Sequence, residues 1–135
     1  MALENARRRA AGRSNLIPDA SIRAVAAQYA RFLVESGWWS TASNPHVAPN
    51  GRTAFDRLDG GGVSRVYASE NLAFGVRPLT PCDFYGALTG AHIRNFMGES
   101  ALDQGVVYEP LYSGIACYID SIGRFLLCDQ YFVAR

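Results

Sequence analysis

The chain has no lysine. All thirteen of its basic residues are arginine, which favours planar, bidentate contacts over point charges. Long apolar runs are also absent, and no window of the sequence approaches the roughly 18 apolar residues that a membrane-spanning helix needs. Charge of one sign is missing as well. A formal net charge of +1 creates no field that would steer the protein toward nucleic acid or an anionic membrane. The basic run Arg7-Arg8-Arg9 is read as the solvated face of a helix. Three cysteines, Cys82, Cys117 and Cys128, are too few for a disulfide scaffold and allow at most one internal bridge. The start, Met1-Ala2-Leu3-Glu4, lacks the layout of a secretory leader. That leaves either a cytosolic protein or one whose leader has been replaced by an initiating Met.

What is present points to a packed globule. The 135 residues suit a single domain spanning 1–135, and a hydrophobic share of 49% can fill a core. Residues 3 to 11 are helix-compatible and Gly12 ends them. From Asp19 to Ser36, Ile22, Val25, Ala26, Tyr29, Phe32 and Leu33 fall on one helical stripe. Asp19 is its candidate N-cap and Gly37 its stop, and such a stripe should pack on a sheet.

Residues 37 to 51 read as a loop. Thr53 and Asp56 suggest a capping box for a short helix through Leu58, broken at Gly60-Gly61-Gly62. A strand through Val66-Tyr67 and a turn around Glu70-Asn71 are expected next. Thr80-Pro81-Cys82-Asp83 looks like a helix start, and a second short helix should include Ala91 to Met97. Residues 98 to 111 read as loop. The end reads as a β-hairpin: Ile115, Cys117 and Ile119 alternate, Asp120 to Gly123 turns, and Phe125 to Val133 returns. Cys117 and Cys128 fall near facing positions of its arms; a bridge between them is open, with buried free thiols the favoured expectation. Helices around a short, mainly antiparallel sheet predict an α+β fold, a three-layer α-β-α sandwich.

Several segments in order resemble the bacterial branch of the CAP (cysteine-rich secretory, antigen 5, pathogenesis-related; SCP-like) superfamily. They are Asn5-Ala6-Arg7-Arg8, Leu16-Ile17-Pro18-Asp19 with the helix after it, and His46-Val47-Ala48-Pro49-Asn50-Gly51-Arg52 running into Asp56-Arg57-Leu58. Ser69-Glu70-Asn71-Leu72-Ala73-Phe74-Gly75 and Gly90-Ala91-His92-Ile93-Arg94-Asn95 follow, then the terminal hairpin. The sequence departs from the family pattern at Ser69, where glycine is usual, and lacks the tryptophan common before the second histidine. The position of a second cleft glutamate is answered only by Asp83, one carbon shorter.

The resemblance implies a polar cleft lined by His46, Glu70, Asn71, Asp83 and His92, in an extracytoplasmic protein. His46 and His92 are the only histidines. As neutral imidazoles they could supply half of a tetrahedral zinc site, completed by water or a carboxylate. Glu70 could be a third ligand, a base acting through water, or the orienter of an imidazole; it could also brace the turn after it. Tyr29, Trp38 and Trp39 are expected in the core or the cleft wall. Three functions follow as expectations: a non-catalytic module binding a divalent metal or small ligand, a zinc-assisted hydrolase with Glu70 as base, or a scaffold for protein contacts. No Gly-x-Ser-x-Gly elbow, activated thiol or phosphate-cradling glycine loop supports other chemistry.

Overall fold

The structure is a computed structural model, and it describes residues 1–76, 88, 90–99, 111–123 and 125–135. The expected helix start at Thr80-Pro81-Cys82-Asp83, and all but the two ends of the stretch 98 to 111, lie outside the described residues. The elements run α1 (Ala2–Ala10), β1 (Ile17–Pro18), α2 (Ala20–Ser36), α3 (Trp38–Thr41), α4 (Ala54–Gly60), β2 (Tyr67–Val76), α5 (Gly90–Met97), β3 (Tyr112–Ile119) and β4 (Phe125–Ala134). No described helix is long and apolar enough to cross a membrane.

The central helix forms as its sequence dictates. Asp19 accepts from the Ile22 amide at 2.9 Å, satisfying one of the free N–H groups of the first turn. Gly37 ends the helix at φ 70°, a conformation glycine adopts without strain. Ile22, Val25, Ala26, Tyr29, Ala30 and Leu33 are buried along one stripe. Asp19 also binds Arg135 at 2.7 Å, tying the end of the chain to the start of α2. Its partial burial would raise its pKa, but the Ile22 amide and Arg135 together hold it below the ordinary value. At α4 the capping box of Thr53 and Asp56 is complete.

The sheet has the order β1-β3-β4-β2, antiparallel except where β1 runs parallel to β3. Its side chains alternate between two faces. Ala68, Tyr131 and Val133 pack with Ile22, Val25, Leu58 and Val63 under α2 and α4. Tyr67, Phe132 and Ala134 pack with Leu16, Phe96 and Met97 on the opposite side, which carries α5. This is the three-layer α-β-α sandwich of an α+β fold. Gly114 allows the close approach of α2, because a Cβ there would stand 2.2 Å from the Arg23 amide nitrogen.

Four expectations are corrected. Glu70 and Asn71 do not turn the chain. They lie mid-strand, since β2 pairs with β4 without interruption from Tyr67 to Val76 and each face of the strand has a layer to pack against. Arg8 is not solvated. It is fully buried and donates to the carbonyls of Ser14 at 2.6 Å and Phe96 at 2.7 Å, joining α1 to α5. Trp38–Thr41 forms a short helix inside the expected loop. Cys117 and Cys128 are bridged rather than free, because the register sets them directly opposite, with Cα atoms 3.9 Å apart.

Candidate functional site

The site straddles β2, which borders the described sheet on one side. Adjacent residues of a strand point to opposite faces, so Glu70 and Asn71 serve opposite sides of the same edge. On the α2 side, Glu70 Oε2 lies 2.7 Å from Nδ1 of His46, and Oε1 accepts from the guanidinium of Arg57. On the α5 side, the Asn71 side chain donates to the His92 carbonyl at 3.1 Å. Asn95 donates both to Asn71 Oδ1 at 2.7 Å and to the Glu70 carbonyl at 3.3 Å. The Asn71 side chain and the Glu70 carbonyl of this bordering strand are thereby tied to α5.

His46 sits on a loop with no regular structure, so side chains must hold it. The Tyr29 hydroxyl donates to the Pro45 carbonyl at 2.7 Å, Trp38 Nε1 to Val47 at 2.9 Å, and Arg57 to His46 itself at 3.1 Å. Tyr29 and Trp38 thus stand in the core and the cleft wall, and Trp39 packs its ring 5.2 Å from that of Phe74. His92 comes from α5. Burial lowers its pKa, and the nearness of His46 lowers it further. A hydrogen bond to the Leu72 backbone works in the other direction without cancelling these. Asp83 lies outside the described residues.

Behind the histidines is a buried polar cluster that the sequence reading missed. Arg57 also donates to the Tyr131 hydroxyl at 2.7 Å and the Arg52 carbonyl at 3.1 Å, and its guanidinium lies 3.5 Å over the Tyr29 ring. Burial would lower the Arg57 pKa, but the Glu70 carboxylate with the Tyr131 and Tyr29 hydroxyls together outweighs it, and the guanidinium remains charged. Burial pushes the Tyr29 hydroxyl up to about 12 and the Tyr131 hydroxyl well beyond its ordinary range.

Asp129 is fully buried, and among the described residues neither of its carboxyl oxygens has a partner at hydrogen-bond geometry. The Glu70 carboxyl and the Tyr131 hydroxyl are nonetheless near enough to act on its ionisation. Desolvation first, then the charge of Glu70, raise its pKa well above the carboxylate range. Asp129 is therefore the neutral member of the cluster, and the Arg57–Glu70 pair balances its own charge. The sequence signal for Asp129 was the one acid in a largely apolar strand. For Arg57 it was an arginine on the buried side of the capped helix.

The donor set bears on a metal. Among the described residues no group of three or more His, Cys, Asp or Glu side chains could hold an ion. Both Glu70 oxygens are engaged, so of the roles open to it the geometry matches the orienter of His46. Its other expected role, bracing a following turn, has no turn to act on. A metal here would rest on the two imidazoles, with solvent completing its shell.

No family model and no curated protein matches the chain by sequence. Solved structures do match it. The chain is similar to an outer surface protein of Borrelia burgdorferi, with a TM-score of 0.71 at 15% identity over 99% of this chain and 89% of that one. It is also similar to an extracellular protein containing a SCP domain from Bacillus anthracis, with a TM-score of 0.59 at 21% identity over 98% of this chain.

The fold is CAP-like. The chain spans 38% of the length of the Bacillus protein, and at these identities the likeness extends to the fold alone. Within this fold the histidine-bearing loop, β2 and α5 meet at one edge of the described sheet.

Proposed function

We propose that this CAP-like chain is a non-catalytic binding module whose cleft takes a divalent metal, zinc in the first instance, on His46 and His92. The observation that carries the reading is the 2.7 Å contact between Glu70 and Nδ1 of His46. A carboxylate on one ring nitrogen fixes the tautomer and turns the other nitrogen outward as a ligand, the usual arrangement behind metal-binding histidines. The hydrogen bond between His92 and the Leu72 backbone supplies an equivalent outer partner. The metal would cross-link the His46 loop to α5.

A hydrolytic reading asks Glu70 to act as a base. Its double engagement by Arg57 and His46 argues against that role, since both acceptor oxygens are already committed. The reading also includes an extracytoplasmic location. The Cys117–Cys128 bridge supports this, because such bonds persist in oxidising compartments. So do the outer-surface and extracellular descriptions of the two similar proteins.

Calorimetric zinc titration tests the proposal. His46→Ala and His92→Ala should each abolish zinc binding while circular dichroism shows the fold intact. Unchanged affinity in both variants would overturn it. Turnover of peptide or ester substrates that needs zinc and is lost in Glu70→Gln would replace it with the hydrolytic reading.

A further inference from the structure

A separate cavity of about 530 Å³ lies between α2, the segment that follows His46, and the end of α4. Its volume is in the range of small-molecule sites, about 300–1,000 Å³. None of His46, Glu70 and His92 lines it. One side is apolar: the rings of Tyr29 and Phe32 stack at 5.7 Å with 20° between their planes, and Pro49 is also part of the lining. The polar lining comes from Gln28, Asn50 and Arg52, with Arg57 in the wall.

The charges of the lining have one sign, for it contains two arginines and no acid. Arg57 is already matched by Glu70. Arg52 is exposed and donates to the backbone carbonyl of Asp56 at 2.8 Å; Oδ2 of the Asp56 carboxylate accepts from Thr53, and these bonds first, then the charge of Arg52, lower the Asp56 pKa. Among the described residues, no carboxylate lies within ion-pair distance of Arg52. An apolar shelf beside an exposed guanidinium with no ion pair of its own suits a ligand with an aromatic or similarly flat body and a single anionic group.

We propose that this cavity is a second binding site, for a small amphipathic monoanion, with Arg52 holding the anionic group and Phe32 and Pro49 receiving the apolar body. It goes beyond the metal reading and shares with that cleft only the wall formed by Arg57 and Tyr29.

The test is a fluorescence titration of the full chain with an anilinonaphthalene sulfonate dye. Saturable binding at one site is expected, with displacement by naphthoate and not by the uncharged naphthylmethanol. Arg52→Gln should weaken the dye by about tenfold or more through loss of a charge-assisted contact. Gln28→Trp, at an exposed position on the rim, should abolish binding by filling the cavity. Near-ultraviolet circular dichroism shows whether each variant keeps its packing.

His46→Ala should leave the dye affinity unchanged even where zinc binding is lost, which separates this proposal from the metal reading. Absence of saturable binding, equal binding by the parent and both variants, or equal displacement by the uncharged alcohol would each overturn the proposal.

Discussion

Arg57 and Glu70 stand 13 residues apart in the chain and form an ion pair from which solvent is nearly excluded, with side-chain exposures of 8% and 3%. α4 supplies the cation and the bordering strand β2 the anion, so the pair exists only when the short helix and the sheet are docked. The same guanidinium holds the His46 carbonyl, and the same carboxylate holds the His46 ring. The loop that carries His46 is thus fixed by a charge pair that it does not itself contain.

Removing one member of this pair strands the other. Arg57→Met should cost about 3–5 kcal/mol of folding stability, the usual penalty for leaving a buried charge unpaired. Urea denaturation measures it, and a loss below about 1 kcal/mol would show that the pair is solvated in practice.

Asp129 gives a pH dependence of defined sign. The folded chain keeps this proton above the ordinary carboxylate value while the unfolded chain releases it near pH 3.9, so this group's contribution to stability falls as pH rises past about 4. Asp129→Asn removes that dependence. The variant should therefore gain on the parent between pH 4 and pH 7, whatever its absolute stability. Parallel stability curves over that interval would contradict the assignment.

His92 works in the opposite direction. Its folded-state pKa is lowered, so below about pH 6.5 the unfolded chain takes up a proton that the folded chain resists. Stability should decline as pH falls through that region. The C2 proton of His92 followed by NMR should titrate with a midpoint below about 6.5, and a midpoint at or above that value would refute the burial argument.

Gly114 marks the tightest approach between layers. Gly114→Ala puts a methyl group against the backbone of Ile22 and Arg23, which cannot swing aside as a flexible side chain could. A loss of about 1–3 kcal/mol or more is expected by denaturation, as for overpacking in a close-packed core. Stability within about 0.5 kcal/mol of the parent would show that α2 can slide on β3 at little cost.

Local chemistry was enough for much of this molecule. The spacing from Ile22 to Leu33, the cap at Asp19, the stop at Gly37 and the box at Thr53 and Asp56 are interactions within a few residues, so the sequence displays them. The terminal hairpin was legible for the same reason, and so was the layered fold that such elements must form to bury their apolar faces. His46, Glu70 and His92 could be named as candidates because each sits in a short segment of recognisable pattern.

Contacts between distant residues were decided only by the tertiary structure. The polar look of Glu70-Asn71 suggested a turn, yet ten consecutive pairings with β4 made it a strand. Arg8 looked like surface until α5 supplied carbonyls for it. Cys117 and Cys128 were near-facing on paper, and the register of β3 on β4 brought them together. Above all, nothing local in the sequence marks Arg57 and Asp129 as neighbours of Glu70. Burial and charge balance are properties of the assembled layers, and only the packing of α4 and β4 around β2 set the Glu70 carboxylate against both Arg57 and the His46 ring.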